Sequence, residues 1–112
     1  MERVKEYQDI IIQLLEKYTH FKGDNQSDVE TEFIADRERN HFLIMNVGWK
    51  DKTPVYHTII HIDIKDGKVW VQQDWTDAVI VDELIENGIL QSDIVLGFLA
   101  PYKRPYSGFA AA

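Results

Sequence analysis

Between Val4 and Tyr18 the apolar positions fall at Val4, Tyr7, Ile10, Ile11, Leu14, Leu15 and Tyr18, the alternating three- and four-residue step of one stripe on an α-helix. Lys5, Glu6, Asp9, Gln13, Glu16 and Lys17 fill the opposite, solvated face. Turn formers from 23 to 28 end that pattern, and a different one begins. Residues 29–36, 41–49 and 55–65 are short runs rich in Val, Ile, Thr, Phe, Tyr and Trp, which read as strands. A fourth run follows Asp66-Gly67, a pair that suits a two-residue hairpin turn because both central positions need positive φ. The runs predict an antiparallel meander.

The Asp-Gly turn fixes a register. Counting outward from it pairs Ile64 with Val69 and Ile62 with Val71 on one face, and Asp63 with Trp70 and His61 with Gln72 on the other. If Trp49 lies opposite Pro54, then Val47, Met45 and Leu43 face Tyr56, Thr58 and Ile60 on the face of Ile62 and Ile64, which is therefore the expected core. Bringing Phe33 and Thr31 to that face pairs Phe33 with Leu43 and requires an odd loop or a β-bulge between 37 and 40. The second face then receives Phe42, Ile44, Ile59 and Trp70 beside His57, His61, Asp63 and Gln72. That is too apolar for a fully solvated face, so a cover is expected: the C-terminal tail, a second copy of the chain, or a small molecule in a pocket.

Past the hairpin, Asp74 precedes a helical pattern with Asp77 three residues on, so Asp74 is expected to cap a helix that runs to Asn87. Ala78, Val81, Leu84 and Ile85 make its apolar stripe, and Gly88-Ile89 reads as a glycine stop with a hydrophobic contact after it. Residues 94–98 are an apolar run too short to type. In the tail PYKRPYSGFAAA, Pro101 and Pro105 argue against regular structure. Tyr102, Tyr106 and Phe109 nevertheless predict an ordered tail packed on something, with Lys103 and Arg104 as further candidates for partner contact. The expected fold is α+β: one domain over residues 1–112, a four-stranded antiparallel meander with both helices on one face and an ordered C-terminal tail.

Composition narrows the function classes. A formal charge of −7 and a pI of about 4.9 oppose the counterion release that drives duplex binding, so no high-affinity nucleic-acid binding is expected of the chain alone. The absence of cysteine excludes a disulfide framework and thiolate chemistry and fits a cytoplasmic setting. No apolar run is long enough to span a bilayer, and the N-terminus lacks a signal-like apolar region, so no membrane partner is expected.

Candidate chemistry is thin. His57, His61 and Asp63 could suggest metal, but strand residues four apart lie roughly 13 Å from each other, too far for His57 and His61 to share one ion. Asp74, Asp77 and Asp82 have simpler roles at a helix start and on a solvated face than as acid–base pairs. No catalytic residue, metal or cofactor is expected from the residues alone, and an enzyme binding a small molecule or metal on the second sheet face is the rival reading.

The run DGKVWVQQD, the acid-started helix ending ELIENGI, then SDIVLGF, P-x-x-R and a closing FA resemble the XisI family of fdxN element excision controlling factor proteins. The N-terminal pattern ERVKEYQDIIIQLLEKY extends the resemblance over nearly the whole chain. The chain departs from the family pattern at Trp75, where smaller residues are usual, and at Leu99-Ala100, where His is common after the Gly-Phe. The resemblance implies a non-enzymatic accessory in site-specific excision of a DNA element in heterocyst-forming cyanobacteria. It also implies contact with a XisH-type, nuclease-like protein or a recombinase. Self-association is expected on separate grounds, from the apolar second face.

Overall fold

The computed structural model describes residues 2–19, 28–76 and 79–112. Helix α1 (Glu2–Thr19) is followed by strands β1 (Asp28–Asp36), β2 (His41–Lys50), β3 (Thr53–Lys65) and β4 (Lys68–Asp74), helix α2 (Val79–Glu86) and strand β5 (Ile94–Leu96). The five strands form one sheet in chain order. The first four pair antiparallel, as expected, but the sheet has a fifth member: β5 runs parallel to β4, pairing Val69 with Ile94 and Val71 with Leu96. The return that a parallel neighbour requires is supplied by α2, which turns the untyped apolar run into a strand. No helix among the described residues is long and apolar enough to cross a membrane.

Both helices lie on one face of the sheet. Tyr7, Ile11, Leu14 and Leu15 of α1 and Ile80, Val81 and Leu84 of α2 share a single buried cluster with Phe42, Ile44, Ile60, Ile62, Ile64, Val69 and Val71. Each fully buried aliphatic or aromatic side chain there contributes roughly 1.5–3 kcal/mol, which makes this layer the main source of stability. The Tyr18 hydroxyl donates to Glu83 Oε1 at 2.9 Å and ties the two helices together. At the other end of α1, Gln8 donates to the Arg37 carbonyl at 3.0 Å and to Asn40 Oδ1 at 2.6 Å, which holds the β1–β2 turn against the helix.

Phe42 and Ile44 are 0% and 1% exposed and belong to this core, not to the second face where alternation counted from Trp49 placed them. The turn register is as expected, with Trp49 opposite Pro54 and Met45 opposite Thr58. Beyond it the pairing slips by one, so that Ile44 faces Ile60 and Phe42 faces Ile62. Ile59 is the extra residue of a β-bulge, and one extra residue exchanges the faces of everything beyond it. Phe33 accordingly pairs with Ile44 rather than Leu43, across a plain turn that needs no irregularity between 37 and 40. Ile59 itself is half-buried and packs against the core. A second bulge at Gln72 pairs His61 with Gln73 instead of Gln72, while the Asp66-Gly67 turn keeps its expected register with φ of 52° and 76°.

Among the described residues Asp74 reaches no N–H of α2 (Val79–Glu86). It ends β4 opposite Ile60, and its Oδ1 accepts the Thr76 N–H at 2.8 Å and the Thr76 hydroxyl. Thr76 is the described residue that turns to the helix: its hydroxyl oxygen accepts the N–H of Ile80 at 3.2 Å, a contact to the helix start that was expected of Asp74. Asp77 and Ala78, and the turn formers 23–27, lie outside the described residues. The far end behaves as the sequence predicts. Gly88 donates to Ile85 and Ile89 to Leu84, the paired bonds of a glycine-terminated helix.

After β5 the chain does form regular structure, a 3₁₀ segment over Pro101–Tyr106. Its bonds run from Lys103 N–H to Ala100 and from Ser107 N–H to Arg104, and neither calls on a proline nitrogen. Ala110 then donates to the Ile94 carbonyl at 2.9 Å and bridges to Val95. The tail is ordered.

Candidate functional site

The face away from the helices divides into three zones. Along β4 and β5 it is roofed: Val95, next to Trp70 across the parallel pairing, is 0% exposed although it lies outside the helix-side core. The roof includes Arg104, whose guanidinium sits 5.1 Å from the Trp70 ring centre while donating to the carbonyls of Leu99 at 3.1 Å and Gly97 at 3.3 Å. Lys65 approaches the same ring at 4.7 Å. Arg104 and Phe109 therefore serve the fold from within, since Phe109 packs against the core, whereas Tyr102 and Tyr106 stay 73% and 89% exposed. Lys103 leans over Tyr102 at 5.8 Å.

The middle zone is polar and centred on Asp63. The bulge at Ile59 sets His41 of β2 directly opposite Asp63 of β3, with His61 two residues before it on the same face. His41 Nδ1 lies 2.8 Å and His61 Nε2 2.9 Å from Asp63 Oδ1, so both rings can donate to one oxygen. Gln72 donates to the other oxygen at 3.3 Å. The Asp63 side chain is 8% exposed, that of His61 33% and that of His41 50%, so a buried carboxylate lies under two imidazoles of increasing exposure. Burial pushes the Asp63 carboxyl up, but the His41 hydrogen bond, the charge and hydrogen bond of His61 and the Gln72 amide outweigh it, and the group sits below its ordinary value. It stays ionised. Behind Gln72 lies Gly97, where any Cβ would run into the Gln72 side-chain oxygen. Arg104 fixes Gly97, Gly97 leaves room for Gln72, and Gln72 orients Asp63, so the tail braces the polar zone from three residues away.

His57 is not part of this group. It pairs with Asn46 before the bulge, on the opposite side of the sheet from His61, and its ring stacks against Trp75 at 4.9 Å. Of the candidate residues on the second face, His61, Trp70 and Gln72 are brought together, and His57, Phe42, Ile44 and Ile59 are not. His41 and Gly97 escaped the sequence reading. The one trace of His41's position is the doublet Ile59-Ile60, a break in strand alternation that does not itself say which residue is left unpaired in the slip that puts His41 opposite Asp63.

The third zone, over β1 to β3, is open. Leu43, Met45, Val47 and Trp49 follow each other at alternate positions of β2, with Ile34 opposite Leu43 and Tyr56 opposite Val47. Ile34, Trp49 and Tyr56 are 42%, 55% and 75% exposed. Asp28, Glu30 and Glu32 of β1 pair with Trp49, Val47 and Met45 and line the same face with acid.

The model of the XisI protein family matches residues 1–111. The chain belongs to the XisI family. A XisI-like protein from Anabaena variabilis ATCC 29413 has 44% sequence identity and a TM-score of 0.91, the match covering 97% of this chain and 99% of that one. The fdxN element excision controlling factor XisI of the same organism has 35% identity and a TM-score of 0.86, covering 98% and 99%. Among curated proteins none matches. XisI membership agrees with the order of elements read from the sequence.

Proposed function

We propose that this XisI-family chain is a non-enzymatic accessory in the excision of a DNA element, working through protein contact with a XisH-type nuclease-like protein or a recombinase. The open zone carries the reading. An apolar column with three large exposed side chains, flanked by an acidic column on β1, fits a partner that is apolar at its centre and basic at its rim. Proteins that handle DNA are basic where they meet phosphate, so such a rim is ordinary chemistry for them, while the net charge of −7 keeps this chain off the duplex. The 35% identical excision controlling factor supports the same process.

The test is capture of a purified XisH-type protein or recombinase by the intact chain and by Tyr56→Glu and Trp49→Glu variants. Capture lost in both variants, with unchanged circular dichroism, supports the reading; capture untouched by either sinks it. A second copy of the chain is the competing occupant of this surface. Light scattering decides between them, since self-association through it gives a mass above 13.1 kDa that the same variants reduce.

A further inference from the structure

We propose that His41, His61 and Asp63 form a binding site for a divalent transition-metal ion of the zinc type. Residues two apart on a strand share a face, and an antiparallel neighbour sets a third side chain opposite them. Here that places His61 and Asp63 of β3 against His41 of β2, with one ligand atom from each within 4.8 Å of the other two.

The present His–Asp separations are 2.8 and 2.9 Å. Ligand atoms around a tetrahedral zinc ion, with bonds of about 2.0–2.2 Å, stand about 3.3–3.6 Å apart, so the two His–Asp separations open by about half an ångström while the two ring nitrogens, within 4.8 Å of each other, settle to the same spacing. The ion takes the place of the two hydrogens that now join the rings to Oδ1: a neutral ring carries its proton on the other nitrogen instead, and a protonated ring releases one proton to solvent, so both imidazoles bind in the neutral form. Two nitrogens and one carboxylate oxygen favour zinc, cobalt, nickel or copper over magnesium or calcium.

The surroundings are those of a built site. Asp63 is 6% exposed and its second oxygen is already engaged by Gln72, which leaves Oδ1 directed at the two rings. The half-exposed His41 opens the fourth coordination position toward solvent, where water or a partner's side chain can enter. Because the ligands stand on two paired strands rather than on loops, little ordering is required to assemble them.

Isothermal titration calorimetry of the chelator-treated full chain with Zn²⁺ tests the proposal, with Co²⁺ absorption reporting the ligand geometry. One ion per chain at micromolar affinity or better is expected. His41→Ala should weaken binding by more than about a hundredfold and Gln72→Ala by about tenfold, the cost of losing an outer-shell partner, while His57→Ala leaves it unchanged. No heat with Zn²⁺, or binding that survives His41→Ala, overturns it. Asp63→Asn is a further ligand variant, but His41 is half-exposed and its loss should leave the fold intact, so His41→Ala decides the matter if Asp63→Asn unfolds.

Discussion

Both ends of the non-helical face carry large apolar side chains, and their fates are opposite. Over β4 and β5, Trp70 and Val95 lie under a tail that returns to bridge β5, with Arg104 against the Trp70 ring. Over β1 to β3, Ile34, Trp49 and Tyr56 are left open. The difference lies in where the tail is tied, since Ala110 bonds back to Ile94. Tied back to β5, it covers Trp70 and Val95 beside that strand. One end thus stabilises the fold, and the other contributes little to it.

Removing residues 101–112 should break this contrast most strongly. Exposing Val95 and the Trp70 face uncovers roughly 100–200 Å² of apolar surface, a loss of about 2.5–5 kcal/mol at about 25 cal/mol per Å². The check is the thermal midpoint; an unchanged value would mean that the roof is ornamental. Arg104→Ala keeps the tail but removes its grip on Gly97, Leu99 and Trp70, and should cost about 1–2 kcal/mol by chemical denaturation. It should also alter Trp70 fluorescence, which a merely floppy tail end would not do.

A reference for both ends comes from the helical side. Burial, then the hydrogen bond to Glu83, pushes the Tyr18 hydroxyl up to about 12 from an ordinary 10.0. Below pH 10 the hydroxyl is neutral whether the chain is folded or not. Between 10 and 12 the unfolded chain gains by ionising and the folded chain does not, so stability declines across that window. Tyr18→Phe should flatten the decline in alkaline denaturation curves, and an identical slope would show that Tyr18 is not the group responsible. The smallest effect belongs to the open end: Tyr56→Ser should change stability by no more than about 0.5 kcal/mol. A larger loss measured by urea titration would mean that Tyr56 is covered within the chain.

What was legible in the sequence followed local chemistry. Asp66-Gly67 dictated a turn and thereby the β3–β4 register next to it; Gly88-Ile89 dictated a helix stop; the spacing of Tyr7, Ile11 and Leu14 dictated a buried stripe. What was missed depended on one residue without a chemical marker. Ile59 is as apolar as its neighbours, so nothing in its side chain says that it is unpaired, yet its insertion moves Phe42 and Ile44 into the core and brings His41 to Asp63. Of the aromatics from which an ordered tail was expected only Phe109 packs, and Arg104 and the Ala110 bridge hold the rest. The position of the tail could not be read, because β5 exists only once α2 has carried the chain back beside β4.

The bulge also gives β3 a length of slack. A one-residue deletion in the turn at 51–52 need not propagate, because closing the bulge absorbs it: the strand before Ile59 slides by one and the strand after it stays in place. His57 and Tyr56 would trade faces, while His41, His61 and Asp63 kept their pairing. The open apolar zone and the polar cluster, neighbours on one sheet, are therefore uncoupled with respect to insertion and deletion in that turn: the face that Tyr56 presents can change while the cluster around Asp63 stays as it is.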